Sequence, residues 1–329
     1  MNILVTGGCG FIGSNLILYI LRERPDWSVT NVDALTYASN REFLSDVESD
    51  SRYRLREVDI RDRAALAAVF DEIRPDGVFH LAAETHVDNS IEAPGDFITT
   101  NVLGTYNLLV ESQRAFAERE GRFLLVSTDE VYGSLGSEGL FSEESQYRPN
   151  SPYSASKAAS DHLVRAWHHT YGLDVVTTNC ANNYGPHQHR EKLIPTVIAT
   201  ALAGEPIPIY GDGKNVREWL YVEDHAAGIV EVFDRGRSGE TYLIGARNER
   251  ENLDLVREIC AILDDEVGEG PANGGYASLM AFVTDRPGHD RRYAVDPSKL
   301  EEELGWKPRS SFAESLRTTV RWYIDRGGR

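Results

Sequence analysis

The chain has 329 residues, of which 41% are hydrophobic, and its formal net charge at pH 7 is −18. This length, at about 150 residues per domain, predicts two domains or one large one. The acidic surplus argues against a nucleic-acid-binding protein, and the absence of an apolar run of about 18 residues argues against a membrane-spanning one. Five of the 34 basic residues are lysine, which is typical of a salt-adapted cytoplasm, although an ordinary acidic protein fits the same composition.

The N-terminal residues and the cysteines favour a cytoplasmic protein. The sequence M-N-I-L-V-T-G-G is typical of a strand that enters a glycine turn, not of a basic and then apolar signal peptide. Cys9, Cys180 and Cys260 are odd in number, widely separated and without metal-ligand spacing. We therefore expect reduced core thiols and no metal site.

Strand-like and helix-like segments alternate along the first half of the chain. The predicted strands are Ile3–Thr6, Val29–Val32, Tyr53–Val58, Val78–Leu81, Phe123–Ser127 and Val175–Cys180. The predicted helices include Ile12–Arg24, Arg63–Ile73, Thr99–Arg119 and Ser154–Tyr171. Because several strands are continuously apolar, both of their faces should be covered, which predicts an α/β fold with a doubly wound parallel sheet.

The composition changes after Gly185, where proline and glycine become frequent. This change predicts a second, smaller α/β domain that binds substrate. Trp219–Asp234 and Tyr242–Gly245 are expected to return to the first domain. The predicted first domain comprises residues 1–185 and about 218–245, and the second comprises 186–217 and 246–329, without a sharp boundary.

A glycine-rich turn, T-G-G-C-G-F-I-G at residues 6–13, joins the first strand to the first helix. Gly7, Gly10 and Gly13 would let backbone N–H groups approach a diphosphate at the helix N-terminus. Asp33 follows Gly13 by 20 residues, where a Rossmann sheet places a carboxylate that binds ribose hydroxyls. Such a carboxylate repels an additional phosphate and so favours NAD over NADP; the alternative is a glycine turn beside a surface aspartate. Other predicted cofactor residues lie beside this turn or end neighbouring strands: Phe11, Ile12, Asp59, Ile60, Leu81, Ala82 and Ala83.

The segment Y-S-A-S-K places Tyr153 and Lys157 four residues apart on one face of a predicted helix. A free tyrosine has a pKa of about 10 and is protonated at neutral pH. A neighbouring ammonium and a positive nicotinamide ring would both favour the phenolate, which could then act as a base. Lys157 could also donate to the nicotinamide ribose. A solvated surface pair is the alternative for an isolated motif of this kind.

The glycine turn and the Y-x-x-x-K motif together resemble the extended short-chain dehydrogenase/reductase superfamily. The resemblance spans most of the chain and implies a sugar-nucleotide enzyme. Such an enzyme takes a hydride from a sugar carbon onto NAD, performs chemistry on the ketone and returns the hydride. It also implies a homodimer formed by long helices, for which Thr99–Arg119 and Ser154–Tyr171 are candidates.

The triplet Thr128, Asp129 and Glu130 ends a buried strand and carries two adjacent carboxyl groups. Adjacent carboxyl groups in different environments can be kept one ionised and one protonated. The triplet resembles that of the dTDP-glucose 4,6-dehydratase family, whereas GDP-mannose dehydratases and UDP-glucuronate decarboxylases typically carry T-S-E. By this resemblance Thr128 binds the C4 oxygen, Glu130 removes the C5 proton and Asp129 protonates the C6 oxygen. The alternative is a polar cluster that caps a helix.

The same resemblance extends to segments 81–91, 182–195, 210–217, 219–225, 286–293 and 304–308. It implies a diphosphate site formed by Arg217 and Arg286, since a guanidinium fork matches phosphate oxygens. The other substrate residues implied are Thr85, His86, Asn182, Glu191, Lys192, Leu193, Tyr210, Asn252 and His289. For each of these, a surface contact or a core position is the alternative.

Four residues at three sites depart from the family pattern without touching the catalytic set. His189-Arg190 replaces an aromatic residue and proline, Glu218 replaces the commoner aspartate, and Leu243 stands where asparagine is usual. Two other functions stay open at this level. The first is a 4,6-dehydratase or decarboxylase that acts on a UDP-sugar, and the second is an NAD-binding scaffold or sensor without catalysis.

Overall fold

The computed structural model describes residues 1–268, 270, 274–285 and 290–328. Within these ranges the strands, in chain order, are β1 (Asn2–Thr6), β2 (Ser28–Asp33), β3 (Tyr53–Glu57), β4 (Gly77–His80), β5 (Arg122–Thr128), β6 (Val175–Cys180), β7 (Asn182–Tyr184), β8 (Ile207–Tyr210), β9 (Val216–Tyr221), β10 (Thr241–Ile244), β11 (Glu249–Glu251) and β12 (Met280–Val283). The helices are α1 (Phe11–Glu23), α2 (Arg63–Ile73), α3 (Val87–Glu92), α4 (Pro94–Phe97), α5 (Thr105–Ala115), α6 (Pro152–Tyr171), α7 (Leu193–Leu202), α8 (Val222–Arg235), α9 (Asn252–Val267), α10 (Ser298–Leu304) and α11 (Phe312–Asp325). Short 3-10 turns span Arg41–Val47, Asp129–Tyr132 and Tyr276–Leu279, and a wider π turn spans Ile98–Gly104.

Seven strands form one parallel sheet in the order β10-β6-β5-β4-β1-β2-β3. The inner strands are buried along nearly their whole length, because helices cover both faces. The order reverses between β1 and β4, so their carboxyl ends diverge into a crevice of the kind where such sheets bind ligands. The predicted doubly wound α/β fold is confirmed.

The predicted strands agree with the observed ones to within one residue at nearly every end. The predicted helix Thr99–Arg119 is wrong in its bounds. The helical segment begins with α4, passes through the π turn and ends with α5 at Ala115. The chain leaves the helix there because Phe116 packs over Gly121, where an added Cβ would lie 2.2 Å from the ring.

The second half of the chain forms two small sheets, with strand orders β11-β9-β7 and β12-β8. Helices α7, α9 and α11 enclose a hydrophobic cluster there, which includes Ile198, Ile259 and Val320. The expected return to the first sheet is observed for α8, which packs against α1, and for β10, which pairs with β6. The first residues of Trp219–Asp234 instead belong to β9, because that strand pairs with β7 and β11. The proposed domain boundaries themselves stay a prediction.

Two further features concern the chain as a whole. Cys9, Cys180 and Cys260 are buried free thiols. No helix in the described part of the chain combines the length and apolar character needed to cross a bilayer.

Candidate active site

A cavity of about 320 Å³ lies at the carboxyl ends of the strands in the main sheet. It is the place that the order reversal of a doubly wound sheet predicts for a ligand. Its wall collects every predicted cofactor and catalytic residue and part of the predicted substrate set: Gly7, Gly10, Phe11, Ile12, Gly13, Asp33, Asp59, Ile60, Leu81, Ala82, Ala83, Thr85, Thr128, Asp129, Glu130, Tyr153, Lys157, Asn182, Glu191 and Lys192.

The glycine turn shapes one end of this cavity. Gly7 has a φ of +71°, and an added Cβ there would lie 2.8 Å from the backbone of Ala82. A Cβ on Gly13 would lie 2.2 Å from the carbonyl oxygen of Gly7. Gly10 offers the start of α1 no side-chain cap, so the N–H groups of the first turn are available to an anion. The turn therefore fits the diphosphate of a dinucleotide.

Asp33 ends β2 beside this turn and is buried. One carboxylate oxygen accepts from the N–H of Leu35 and the hydroxyl of Ser39, at 2.8 and 2.7 Å. The other accepts from the N–H of Cys9 at 2.8 Å. These bonds fix the carboxylate at the cavity wall, where spare lone pairs can accept from ribose hydroxyls and a further phosphate would be repelled. The residues present thus fit NAD.

Tyr153 and Lys157 lie in the first two turns of α6, which Ser151 begins with a capping box. Burial raises the pKa of Tyr153 well above its usual value and the Glu130 carboxylate raises it further, against a hydrogen bond from Thr128. The Lys157 ammonium donates to the carbonyl oxygen of Val126 at 2.9 Å. Its effect on the phenolate of Tyr153 stays a prediction.

Asp129 and Glu130 occupy different environments, as expected for an acid and a base. Asp129 is only 2% exposed, whereas Glu130 is partly exposed. Burial raises the pKa of Asp129 well above its usual value, and the neighbouring Glu130 and Glu218 carboxylates add to this rise. One oxygen of Asp129 is bonded to Thr128 at 3.4 Å, and the other is buried without a protein partner. Burial therefore favours the protonated form of Asp129, and one of its oxygen atoms is available to a ligand.

The local backbone explains how the two carboxyl groups come to face one cavity. Thr128 accepts from the N–H of Glu130 at 3.3 Å and so begins the 3-10 turn that follows β5. The alternative of a polar cluster that caps a helix is therefore also observed, since the Thr128 hydroxyl caps the turn and Thr128 lines the cavity. Gly133, with a φ of +86°, ends the turn where a Cβ would lie 2.5 Å from the carbonyl oxygen of Arg148.

The predicted substrate residues divide into three groups. Thr85, Asn182, Glu191 and Lys192 line the cavity, and a buried amide oxygen of Asn182 has no protein partner. The structure places His86, Leu193, Tyr210, Arg217 and Asn252 outside the cavity wall. Arg286 and His289 lie outside the described residues.

Arg217 illustrates why residues beyond the wall can still act on the site. It is buried, and its guanidinium donates to the carbonyl oxygens of Val216, Asp290 and Arg291 at 2.8, 2.8 and 3.3 Å. Its charge opposes the rise in the pKa of Asp129. A phosphate role for Arg217 stays a prediction.

Several residues of the site were not predicted from the sequence. Cys180, at the end of β6, lines the cavity and could have been inferred from the same sheet-edge argument as Thr128. Asp161 lies behind the wall, one helical turn after Lys157, and its four-residue spacing was visible in the sequence. Other unpredicted wall residues depend on long-range packing: Ser39, Glu84, Gln188 and His189 lie in connecting segments, Thr100 in the π turn and Asn183 in β7.

Known proteins resemble this chain over nearly its whole length. The family model described as GDP-mannose 4,6 dehydratase matches residues 4–319. The dTDP-glucose 4,6-dehydratase of Neisseria meningitidis is 54% identical over 333 residues, which cover 98% of this chain and 93% of the relative.

Solved structures extend the comparison to three dimensions. The dTDP-glucose 4,6-dehydratase from Streptomyces venezuelae, with NAD and TYD bound, has a TM-score of 0.91 at 47% identity, covering 100% of this chain and 98% of that one. UDP-glucose 4-epimerase from Thermotoga maritima has a TM-score of 0.88 at 28% identity, covering 99% of both chains. The fold is thus shared with epimerases, while the higher sequence identity is with a dehydratase.

Proposed function

The chain belongs to the family that the GDP-mannose 4,6 dehydratase model describes and, within it, to the dTDP-glucose 4,6-dehydratases, and on this basis we propose that it converts dTDP-glucose to dTDP-4-keto-6-deoxyglucose and water. The observation that carries the proposal is the cavity that combines a dinucleotide turn with two unlike carboxyl groups and a buried tyrosine. An epimerase that only rotates a keto-sugar needs no such pair. A scaffold without catalysis has no need of it either.

NAD would be held by the glycine turn, by Asp33 and by Lys157. When bound, it would supply the acceptor, and later the donor, of a hydride. Tyr153 removes the proton of the C4 hydroxyl. Because burial keeps this tyrosine protonated in the protein alone, its phenolate depends on positive charge that arrives with the cofactor. Thr128 hydrogen-bonds to Tyr153 and orients the C4 oxygen beside it.

The elimination step then falls to the two carboxyl groups. A ketone at C4 acidifies the C5 proton, since the resulting carbanion is stabilised as an enolate. Glu130 takes this proton while Asp129 gives its own to the C6 hydroxyl, which leaves as water. Glu130 returns the C5 proton when C6 is reduced, and Asp129 regains a proton from solvent. The substrate has then lost one molecule of water with no net oxidation.

The choice of nucleotide is the part of this proposal that a direct assay decides. Purified enzyme is incubated with dTDP-glucose and with UDP-glucose in parallel, at low and at high salt, and the 4-keto product is measured by its absorbance in alkali. We expect kcat/KM to favour dTDP-glucose by about fourfold or more, since one buried methyl group contributes about 0.8 kcal/mol. Turnover of the UDP-sugar together with inert dTDP-glucose would contradict the substrate assignment.

We further propose that the protein is a homodimer paired through α5 and α6. This face carries exposed apolar side chains, including Leu103 (44% exposed), Tyr106 (37%) and Tyr171 (55%). Tyr106 packs edge-on against Trp167 with ring centroids 5.9 Å apart, and Trp167 packs against Tyr171 at 5.3 Å. A continuous aromatic strip on two neighbouring helices fits an interface better than open solvent.

Tyr106→Glu is therefore expected to convert the dimer to a monomer, because a carboxylate in the centre of an apolar interface loses its hydration. Light scattering after size-exclusion chromatography measures the mass. Phe282→Glu is the matched control, since Phe282 is an exposed aromatic residue (63%) on β12, away from this face. A wild-type monomer, or a Tyr106→Glu dimer, would disprove the interface.

The setting of the enzyme follows from its thiols and its charge. Three buried free cysteines suit a reducing compartment, so we place the protein in the cytoplasm. The net charge of −18 with few lysines suits a salt-rich cytoplasm. The high-salt arm of the activity assay tests this second point, because a salt-adapted enzyme keeps or gains activity there.

A further inference from the structure

Helix α6 carries a second buried charged residue, Asp161, one turn beyond Lys157. The two side chains are 5% and 4% exposed. With Tyr153 they occupy positions four residues apart and therefore share one helix face. A carboxylate enclosed this completely requires partners, because an isolated buried charge is strongly unfavourable.

The contacts of Asp161 lead back to the catalytic turn. One of its carboxylate oxygens accepts from the hydroxyl of Tyr147 at 2.9 Å and from the side-chain amide of Asn179 at 3.1 Å. The same amide nitrogen of Asn179 donates to the carbonyl oxygen of Thr128 at 3.0 Å. Asp161 is thus connected through one side chain to the backbone that presents Asp129.

Lys157 needs an anionic neighbour to stay charged in this position. Its ammonium donates to the carbonyl oxygen of Val126 at 2.9 Å. Burial lowers its pKa, and Asp161 followed by Cys180 opposes that fall. Burial raises the pKa of the Cys180 thiol to about 12, so this group is neutral at physiological pH. Burial also raises the pKa of Asp161, and Lys157 is the largest influence that opposes this rise. Asp161 and Lys157 therefore each favour the charged form of the other.

Other titratable groups surround Lys157 and Asp161. His80 on β4 is buried and neutral, with Thr6 and Thr105 bonded to its two ring nitrogens at 2.8 Å each. Burial raises the pKa of Tyr147, beside Asp161, above its usual value. Further groups face the site from the end of β5, the following turn and α6 itself: Asp129, Glu130, Tyr132 and Tyr153.

We propose that Asp161 is a positioning residue, whose carboxylate holds the buried side chain of Lys157 as an ammonium and ties α6 to the backbone of Thr128 through Asn179. The role rests on the proposed function, because Lys157 is the group through which Asp161 acts on the reaction. Asp161 itself stays behind the cavity wall and does not contact substrate.

Lysine ionisation can be measured without any turnover. The chain has five lysines, so protein labelled with ¹³C at lysine Cε gives five resolvable NMR signals, and Lys157→Met identifies the one of interest. We expect Asp161→Asn to lower the titration midpoint of Lys157 by about one pH unit, the lower end of the effect of losing an opposite charge nearby. Identical midpoints in the wild type and Asp161→Asn would overturn the proposal.

Activity provides the second readout. Since the ammonium is lost as pH rises through the pKa of Lys157, the high-pH limb of kcat in Asp161→Asn should move to lower pH, and Asp161→Glu should restore it. Asp224→Asn is the matched control, because Asp224 is also buried and accepts two backbone N–H bonds but lies away from the cavity. If Asp161→Asn lowers kcat at all pH values and leaves the position of the high-pH limb unchanged, Asp161 has only a structural role and the proposal is wrong.

A variant that keeps the carboxylate guards against misfolding of Asp161→Asn. Tyr147→Phe keeps Asp161 but removes a hydrogen bond that lowers the pKa of its carboxyl group. The carboxylate is then less favoured, so the Lys157 midpoint should fall by a smaller amount than in Asp161→Asn. If Asp161→Asn does not fold, the folded Tyr147→Phe protein decides the question. An unshifted titration midpoint of Lys157 in that protein would count against the proposal. The NMR result is independent of the substrate, so it fails or succeeds separately from the assignment of the reaction.

Discussion

Tyr153→Phe is expected to abolish oxidation of the sugar, lowering kcat by about 10² to 10⁴, the contribution of a positioned general base. The phenyl ring keeps the buried packing of Tyr153, which includes an edge contact with Phe97 at 6.3 Å, and removes only the hydroxyl. The substitution removes the oxygen that is proposed to take the C4 proton beside Thr128. The measurement is the near-ultraviolet absorbance of reduced nicotinamide after substrate is added to the NAD-loaded enzyme.

The absorbance should not rise in Tyr153→Phe, because the block precedes reduction of the cofactor. Tyr184→Phe serves as its control, since Tyr184 is buried but does not line the cavity, and it should behave as the wild type. Accumulation of reduced nicotinamide in Tyr153→Phe would assign the first proton transfer to another group.

Those parts of the site that depend on local backbone chemistry could be predicted from the sequence. Gly7 and Gly13 are required because side chains would collide with Ala82 and with the turn itself, and such turns have a recognisable spacing. Asp33 follows because a parallel sheet brings strand ends to one edge. Thr128 and Glu130 follow from the same rule, and here the cavity collects them.

Properties that arise from packing between distant segments could not be predicted. The hydrogen bond from the Lys157 ammonium to the carbonyl oxygen of Val126 joins two different elements, so the helical spacing of Lys157 did not predict it. The assignment of Trp219 to a second sheet depends on pairing with Asn182, which no local pattern reveals. The raised pKa of Asp129 depends partly on Glu218, a residue 89 positions away that is held by the backbone N–H groups of Ala246, Arg247 and Val295.

Replacing Asp129 and Glu130 by their amides should leave oxidation intact and lower the rate of water loss by about 10² to 10⁴, because an acid and a base are both removed.

Asp129→Asn preserves shape, and it removes a group whose charged form is disfavoured by burial. A raised pKa in the folded state means that the wild type loses stability as pH rises from the unfolded to the folded pKa of Asp129. The variant should therefore unfold at the same or a higher temperature at neutral pH.

The two single variants separate the acid from the base. In Asp129→Asn the base is retained, so substrate incubated in D₂O should exchange its C5 hydrogen and keep its C6 hydroxyl, while reduced nicotinamide accumulates on the enzyme. In Glu130→Gln the nicotinamide should also become reduced, but the C5 hydrogen should not exchange. Glu143→Gln is the control for the amide substitution, because Glu143 accepts from the N–H of Leu243 at 3.0 Å outside the cavity. Exchange at C5 in Glu130→Gln, or wild-type dehydration by the double variant, would show that the proton leaves by another route. The two roles follow from the two environments, since burial favours the protonated form of Asp129, which suits an acid for the leaving oxygen, whereas the more exposed Glu130 suits a base for the acidified carbon.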